Sequence, residues 1–246
     1  MKSIKRLTLI FLLPFGSRPS PAQQPLQEGA IIYLFKIRLP EDGPAPSGSD
    51  PSQARYFTNR EQLFFNRNES LYVPLPDQSP DFESNSGGMQ IRIMTPNNEI
   101  YFNDSTFRKV ALMEFMGANY LITDPLKIKS WRFGPGIKII QNYPCREASY
   151  HDDSLSMDVT VWYTDQLRPM LGPEDFNSLP GTVLEVDIDH GKRIITAEKL
   201  EFRLLKKNEL KIPRGGKPVT GPEFDKMVKA GMALRERNGD RVIINR

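Results

Sequence analysis

Few residues in this chain have types and spacings that can do chemistry. The single cysteine, Cys145, follows Tyr143-Pro144. One cysteine excludes an intrachain disulfide and a multi-cysteine zinc site. An unpaired thiol is either buried and inert or exposed and reactive, and its strand-like flanks favour burial. The two histidines stand in His151-Asp152-Asp153 and Asp187-Ile188-Asp189-His190. Such groups can ligate a divalent cation. Turns use the same residues for their own hydrogen bonds, so no metal site is assigned. No phosphate loop, nucleotide fingerprint, Gly-x-Ser-x-Gly elbow or His-Glu-x-x-His occurs. The sequence therefore assigns no catalytic residue, no metal ligand and no cofactor.

The other candidates act by contact. Gly172-Pro173 and Leu179-Pro180-Gly181 bracket a loop that follows an aromatic strand ending in Trp162-Tyr163-Thr164. Proline fixes φ, and Pro180-Gly181 suits the centre of a type II turn. Leu179 is then free to cover an apolar surface or enter a pocket. Trp162 and Tyr163 are successive strand residues, so at most one of them faces the interior.

The elements that position these residues are strands. Ala30 to Leu39, Gln62 to Phe65, Ser70 to Leu75, Gln90 to Met94, Glu99 to Phe102, Lys127 to Phe133, Met157 to Tyr163 and Val183 to Asp189 are short apolar or alternating runs. Gly87-Gly88, Pro96-Asn97-Asn98, Gly134-Pro135-Gly136 and His190-Gly191 punctuate them as turns. Strands without interleaved helical patterns predict a mainly β fold, an antiparallel curved sheet or half-barrel. Residues 40–53 and 77–88 are rich in Pro, Gly, Ser and Asp and read as loops within a β domain spanning residues 23–215. Residues 216–246 read as a basic helical tail. Thr220-Gly221-Pro222-Glu223 is a capping box, and Phe224, Met227, Val228, Gly231 and Met232 follow helical spacing to about Arg237.

The first 22 residues read as an export signal. Lys2, Lys5 and Arg6 precede an apolar run from Leu7 to Phe15, and Ser20-Pro21-Ala22 offers a cleavage point after Ala22. The run is too short to span a bilayer, and no later segment reads as transmembrane. The expected product is soluble, exported, and periplasmic or in the outer envelope. Removing the signal changes the meaning of the formal +3 charge. The remainder holds 29 basic and 30 acidic residues, which argues against a nucleic-acid partner. That near-neutral sum divides into −8 over residues 23–198 and +7 over residues 199–246. The basic tail is a candidate for peripheral contact with lipid head groups or an acidic partner.

One ordered set of motifs is recognisable: Trp131; Tyr143-Pro144-Cys145-Arg146-Glu147-Ala148; Val161-Trp162-Tyr163-Thr164; Gly172-Pro173; and Leu179-Pro180-Gly181-Thr182-Val183-Leu184-Glu185. With the signal and the helical tail, it resembles the GLPGLI family of exported Bacteroidetes proteins. Ser178 stands in place of the signature's first glycine, and Thr182-Val183 in place of its Leu-Ile. The resemblance implies an envelope protein, akin at fold level to lipoprotein carriers. It makes Trp131, Tyr143, Trp162, Tyr163, Leu179, Pro180 and Gly181 the candidate ligand or partner contacts. The expected role is that of a non-catalytic binding or accessory protein, holding an apolar ligand or a peptide on an aromatic-rich sheet. The alternative is an assembly partner of an outer-membrane complex, with an envelope hydrolase a more distant third.

Overall fold

The computed structural model describes residues 27–39, 56–75, 82–86, 89–94, 96–153, 156–237 and 241–244. The expected export signal and the loop expected at 40–53 lie outside them, as does Gly87-Gly88. Fifteen strands and one helix follow in chain order. The first six strands are β1 (Gly29–Arg38), β2 (Tyr56–Phe65), β3 (Glu69–Pro74), β4 (Phe82–Ser86), β5 (Met89–Met94) and β6 (Glu99–Asn103). Then come β7 (Arg108–Phe115), β8 (Ala118–Pro125), β9 (Arg132–Ile140), β10 (Tyr143–Asp152) and β11 (Met157–Thr164). The chain closes with β12 (Thr182–Ile188), β13 (Arg193–Phe202), β14 (Lys217–Val219), α1 (Gly221–Arg237) and β15 (Arg241–Ile244).

Twelve strands form one sheet in the order β14-β8-β7-β6-β3-β2-β1-β13-β12-β11-β10-β9. Every pair in it is antiparallel except β14 with β8. The sheet is open, with β14 and β9 at its two edges, so the mainly β fold does not close into a barrel. β1 sits near the middle, paired with β2 and β13. Its alternation buries Ile31, Tyr33, Phe35 and Ile37 on one face, here called the inner face. On the same face Leu63 of β2 lies opposite Ile31 and Tyr72 of β3 opposite Leu63, while Ile195 of β13 lies opposite Phe35 and Val186 of β12 opposite Ile195.

Four expectations are corrected. The loop expected at 77–88 contains a strand, β4, that pairs with β5 from Phe82↔Ile93 to Ser86↔Met89; a hairpin partner outweighs its polar composition. Lys127 to Trp131 is not a strand. Its groups bond elsewhere: Trp131 Nε1 donates to Ser178 Oγ (3.1 Å) and Lys129 N–H to the same oxygen (3.4 Å). Gly134-Pro135-Gly136 is no turn but lies within β9. Phe133 opposes Ala148 while Ile137 opposes Arg146, so β9 accommodates extra residues as a bulge. The tail is not wholly helical, since β14 and β15 flank α1.

The helix itself begins as its capping box predicts. Glu223 N–H donates to Thr220 Oγ1 (3.3 Å), and Thr220 N–H to Glu223 Oε2 (2.9 Å). Its apolar stripe docks on the sheet: Phe224 packs 6.2 Å from Phe115 and 5.7 Å from Tyr120, and Val228 is buried. No helix of the described residues is long and apolar enough to cross a membrane.

Candidate interaction site

Residues 165–181 link β11 to β12 without a strand of their own. This loop lies across the inner face like a crossbar. Leu171 bridges to Thr182, and Leu171, Phe176 and Leu179 are buried in the core. Three cationic groups fasten it. Arg168 reaches Asp104 (2.6 Å) and the Glu69 carbonyl (3.3 Å), at the β6–β7 turn and the start of β3. Asp175 pairs with Lys109 of β7 (2.5 Å). Glu174 pairs with Arg193 of β13, whose guanidinium lies over the Phe35 ring at 5.1 Å. The crossbar thus ties strands from opposite halves of the sheet. Met170, Glu174 and Ser178 take φ of 55°, 47° and 62°, left-handed values that cost each of them about 1 kcal/mol.

Beneath the crossbar is a polar cluster in an apolar setting. Glu61 and Glu174 are only 6% and 8% exposed. The Tyr72 hydroxyl donates to the Glu61 carboxylate. Burial pushes the Glu174 carboxyl up to about 7, with Glu61 adding to the rise and Arg193 opposing it. Burial also pushes Asp175 up, but Lys109 and its neighbours outweigh this and hold the carboxyl below its ordinary value. The cavity beside Glu61, Tyr72 and Glu174 measures about 20 Å³, room for one water and far below the size of a ligand pocket. The geometry makes this cluster a fastening. Sequence reading missed it because Glu61 and Glu174 are far apart in the chain. The available signal was Glu61 itself, a carboxylate in step with buried Phe57, Leu63 and Phe65 along β2.

The predicted contact residues divide between this core and the surface. Leu179 is buried in the crossbar and Pro180 is exposed. Gly181 is not the second corner of a type II turn, because its φ is not positive. It must be glycine because a Cβ there would stand 2.1 Å from the Thr164 carbonyl oxygen. Trp131 is half-buried, edge-on to Tyr150 at 4.8 Å, and bonded to Ser178 beside Leu179. Tyr163 is buried and Trp162 half-exposed, as successive strand residues require. Tyr143 is half-buried at the start of β10.

The surface near Tyr163 is the unexpected feature. β9 is an open edge of the large sheet among the described residues. Pairing places Phe133 opposite Ala148, Ile137 opposite Arg146 and Ile139 opposite Pro144. Ala148 and Arg146 in turn face Val161 and Tyr163. Phe133, Ile137 and Ile139 therefore share the face that carries Val161 and Tyr163, yet they are 63%, 77% and 75% exposed. Ile128, just before the strand, is exposed too. The edge is held from its other face: Lys138 pairs with Glu185 and lies 5.7 Å above the Trp162 ring. Gly136 N–H donates to Glu147 (3.2 Å). A Cβ at Gly136 would stand 2.3 Å from that carboxylate and 2.7 Å from Trp162. The bulge glycines let a carboxylate and an indole lie flat on the edge strand.

The remaining reactive candidates are accounted for by structure. Cys145 is fully buried, and burial pushes its thiol up to about 11. At pH 7.5 its thiolate fraction is then below about a thousandth. A small aromatic disulfide reagent should leave the native protein unlabelled and react fully once urea unfolds it; rapid native labelling would contradict the burial. The two Asp/His groups meet at neighbouring hairpin ends. His151 Nδ1 lies 2.7 Å from Asp158, Asp189 accepts from Asp158 N–H (3.0 Å), and Asp187 accepts from Gly191 N–H (2.6 Å). Asp187 and Asp189 thus serve the turn. No group of three or more His, Cys, Asp or Glu able to hold a metal ion occurs among the described residues.

Comparison with known proteins adds a fold relationship. No protein-family model and no curated protein matches the chain. Two crystal structures of PNGF-II, in space groups P21 and C2, are similar to it with TM-scores of 0.54, at 15% and 14% identity. Each match covers 82% of this chain and 33% of that one. The chain spans about a third of the length of that protein, and at such identity the relationship is one of fold.

Proposed function

We propose that this chain is a non-catalytic accessory protein of the cell envelope that recognises a partner polypeptide along the open edge of its large sheet. One observation carries the reading: among the described residues no strand pairs with the outer edge of β9, which lies beside three large exposed apolar side chains, Phe133, Ile137 and Ile139. Charge, proline and bulges blunt such edges; β9 carries Arg132, Pro135 and its bulge in its first half, but from Ile137 to Ile140 its pairing with β10 is regular, and that stretch can accept another strand. Adding a strand to an edge is an established mode of peptide recognition. The placement of Trp162 and Tyr163 supports it, since both lie under or beside this edge. The apolar-ligand form of the reading draws less support, because the crossbar occupies the inner face. The envelope location rests on the basic and apolar N-terminus and on the GLPGLI resemblance.

The test compares wild type with Ile137→Ser/Ile139→Ser in quantitative co-purification from envelope extracts of the producing cell. Both positions are solvent-exposed, so the variant is expected to keep its melting temperature within about 2 °C, as surface substitutions usually do. A partner retained by wild type and lost by the variant is the expected result. An identical set of partners would contradict the reading, as would loss of those partners on deleting residues 220–246 with the edge intact.

A further inference from the structure

We infer that the partner strand is acidic as well as aliphatic. This rests on the reading of β9 as the recognition edge and specifies what that edge takes. From Leu126 to Arg146 the chain carries Lys127, Lys129, Arg132, Lys138 and Arg146 and no acidic residue. That run lies within a body whose net charge over residues 23–198 is −8. Arg132 and Lys138 lie on β9 itself, Lys127 and Lys129 just before it and Arg146 on the neighbouring β10, where Glu147 is the one carboxylate laid against the β9 bulge. Lys127, Arg132 and Arg146 are exposed. Three of the five are already engaged: Lys138 with Glu185, Lys129 over the Tyr150 ring at 4.9 Å, and Arg146 with Asp165 at 3.0 Å.

Charge also argues against a second copy as the occupant. Two β9 strands laid antiparallel along their full length would bring Arg132 and Lys138 of both copies into one short interface. In that register Arg132 of each copy stands diagonal to Lys138 of the other, within reach of long side chains, and the like charges disfavour the pairing. An incoming strand with aliphatic residues on the face of Phe133, Ile137 and Ile139, and carboxylates between or beside them, meets both demands. Its backbone completes the ladder, its apolar side chains cover the exposed isoleucines, and its carboxylates meet Lys127 and Arg132. The electrostatic part hastens encounter and excludes basic strands.

Fluorescence anisotropy on the full chain provides the test, with three labelled peptides of about nine residues, a typical strand length. They alternate valine with glutamate, with threonine or with lysine. The glutamate peptide should bind at least about tenfold more tightly than the other two and weaken as salt is raised. Arg132→Glu should remove that preference, and Ile137→Ser/Ile139→Ser should weaken the glutamate peptide by about tenfold. Equal binding of the threonine and glutamate peptides would overturn the acidic partner while leaving β9 as a recognition edge. Failure of all three, together with an unchanged partner set for the isoleucine variant, would overturn both. Binding to phosphatidylserine vesicles with no response to the glutamate peptide would show a lipid-directed surface and overturn the proposal.

Discussion

Gly172→Ala is expected to unseat the crossbar and to destabilise the fold by at least about 3 kcal/mol, at the upper end of what overpacking costs. A Cβ at position 172 would stand 1.9 Å from the Phe176 carbonyl oxygen and 3.1 Å from Val183 Cβ. Both obstacles are buried, and the first is backbone, so no rotamer change relieves the clash. The crossbar would have to lift. That exposes Leu171, Phe176 and Leu179, each core-forming, and separates Arg168 and Asp175 from their partners. Gly117→Ala is the control. Gly117 has φ of +73° and nothing within 4 Å of an added Cβ, so it should cost only the left-handed backbone term of about 1 kcal/mol. Urea midpoints of the two variants give the comparison. Equal small shifts would mean that the crossbar yields freely at Gly172.

Arg193→Met is expected to cost about 3–5 kcal/mol above neutral pH, because it strands Glu174 in the interior without its cation. Methionine keeps an apolar contact with Phe35, which isolates the charge effect. The dependence on pH has a definite sign. The folded Glu174 carboxyl titrates at about 7 against an ordinary value of 4.5. Between those values the native state holds a proton that the unfolded chain has released. Wild-type stability from this group is therefore full below pH 4.5, falls as pH rises through the window, and levels off above about 7. Removing Arg193 removes an influence that lowers the Glu174 value, so the variant's window extends to higher pH. Its deficit should shrink to about 1–2 kcal/mol at pH 5, where Glu174 is neutral and the loss is that of a hydrogen-bonding partner. Arg193→Met/Glu174→Gln should recover more than half of the loss at pH 8. Urea unfolding at pH 5 and pH 8 checks all three points, and a deficit independent of pH would contradict the account.

Much of the sheet was legible because a strand's period of two exposes its buried set. β1, β11 and β12 alternate plainly, and the capping box at Thr220 fixed where α1 begins. β7 was not legible. Its Arg-Lys-Val-Ala-Leu-Met-Glu-Phe run is rich in good helix formers. Pairing with β6 on one side and β8 on the other overrides that preference. A local sign existed in Met116-Gly117, which both take positive φ and make a two-residue hairpin between Phe115 and Ala118. Gly134-Pro135-Gly136 misled for a related reason. Glycine marks close backbone approach as readily as it marks a turn, and there it admits Glu147 and Trp162. The crossbar was half legible. Gly172, Leu179 and Gly181 were picked out as a rigid loop, but its fastenings to Asp104, Lys109 and Arg193 join residues that no local pattern connects. The apolar edge was least legible, because nothing in the local pattern marks Ile137 and Ile139 as exposed. Only the position of β9 at the end of the sheet leaves them uncovered.

The pairing of β1 with β13 has a consequence for biogenesis. Gly29 lies opposite Phe202, so the central seam joins chain segments from opposite ends of the β domain. Contacts that distant make for slow folding. A growing chain has Ile31, Tyr33 and Phe35 on hand long before residues 193–202 exist to shelter them. Until then β2 can pair with one edge of this aromatic strand while the other stays open and prone to aggregate. The central seam of the sheet therefore closes only after almost the whole β domain has been made.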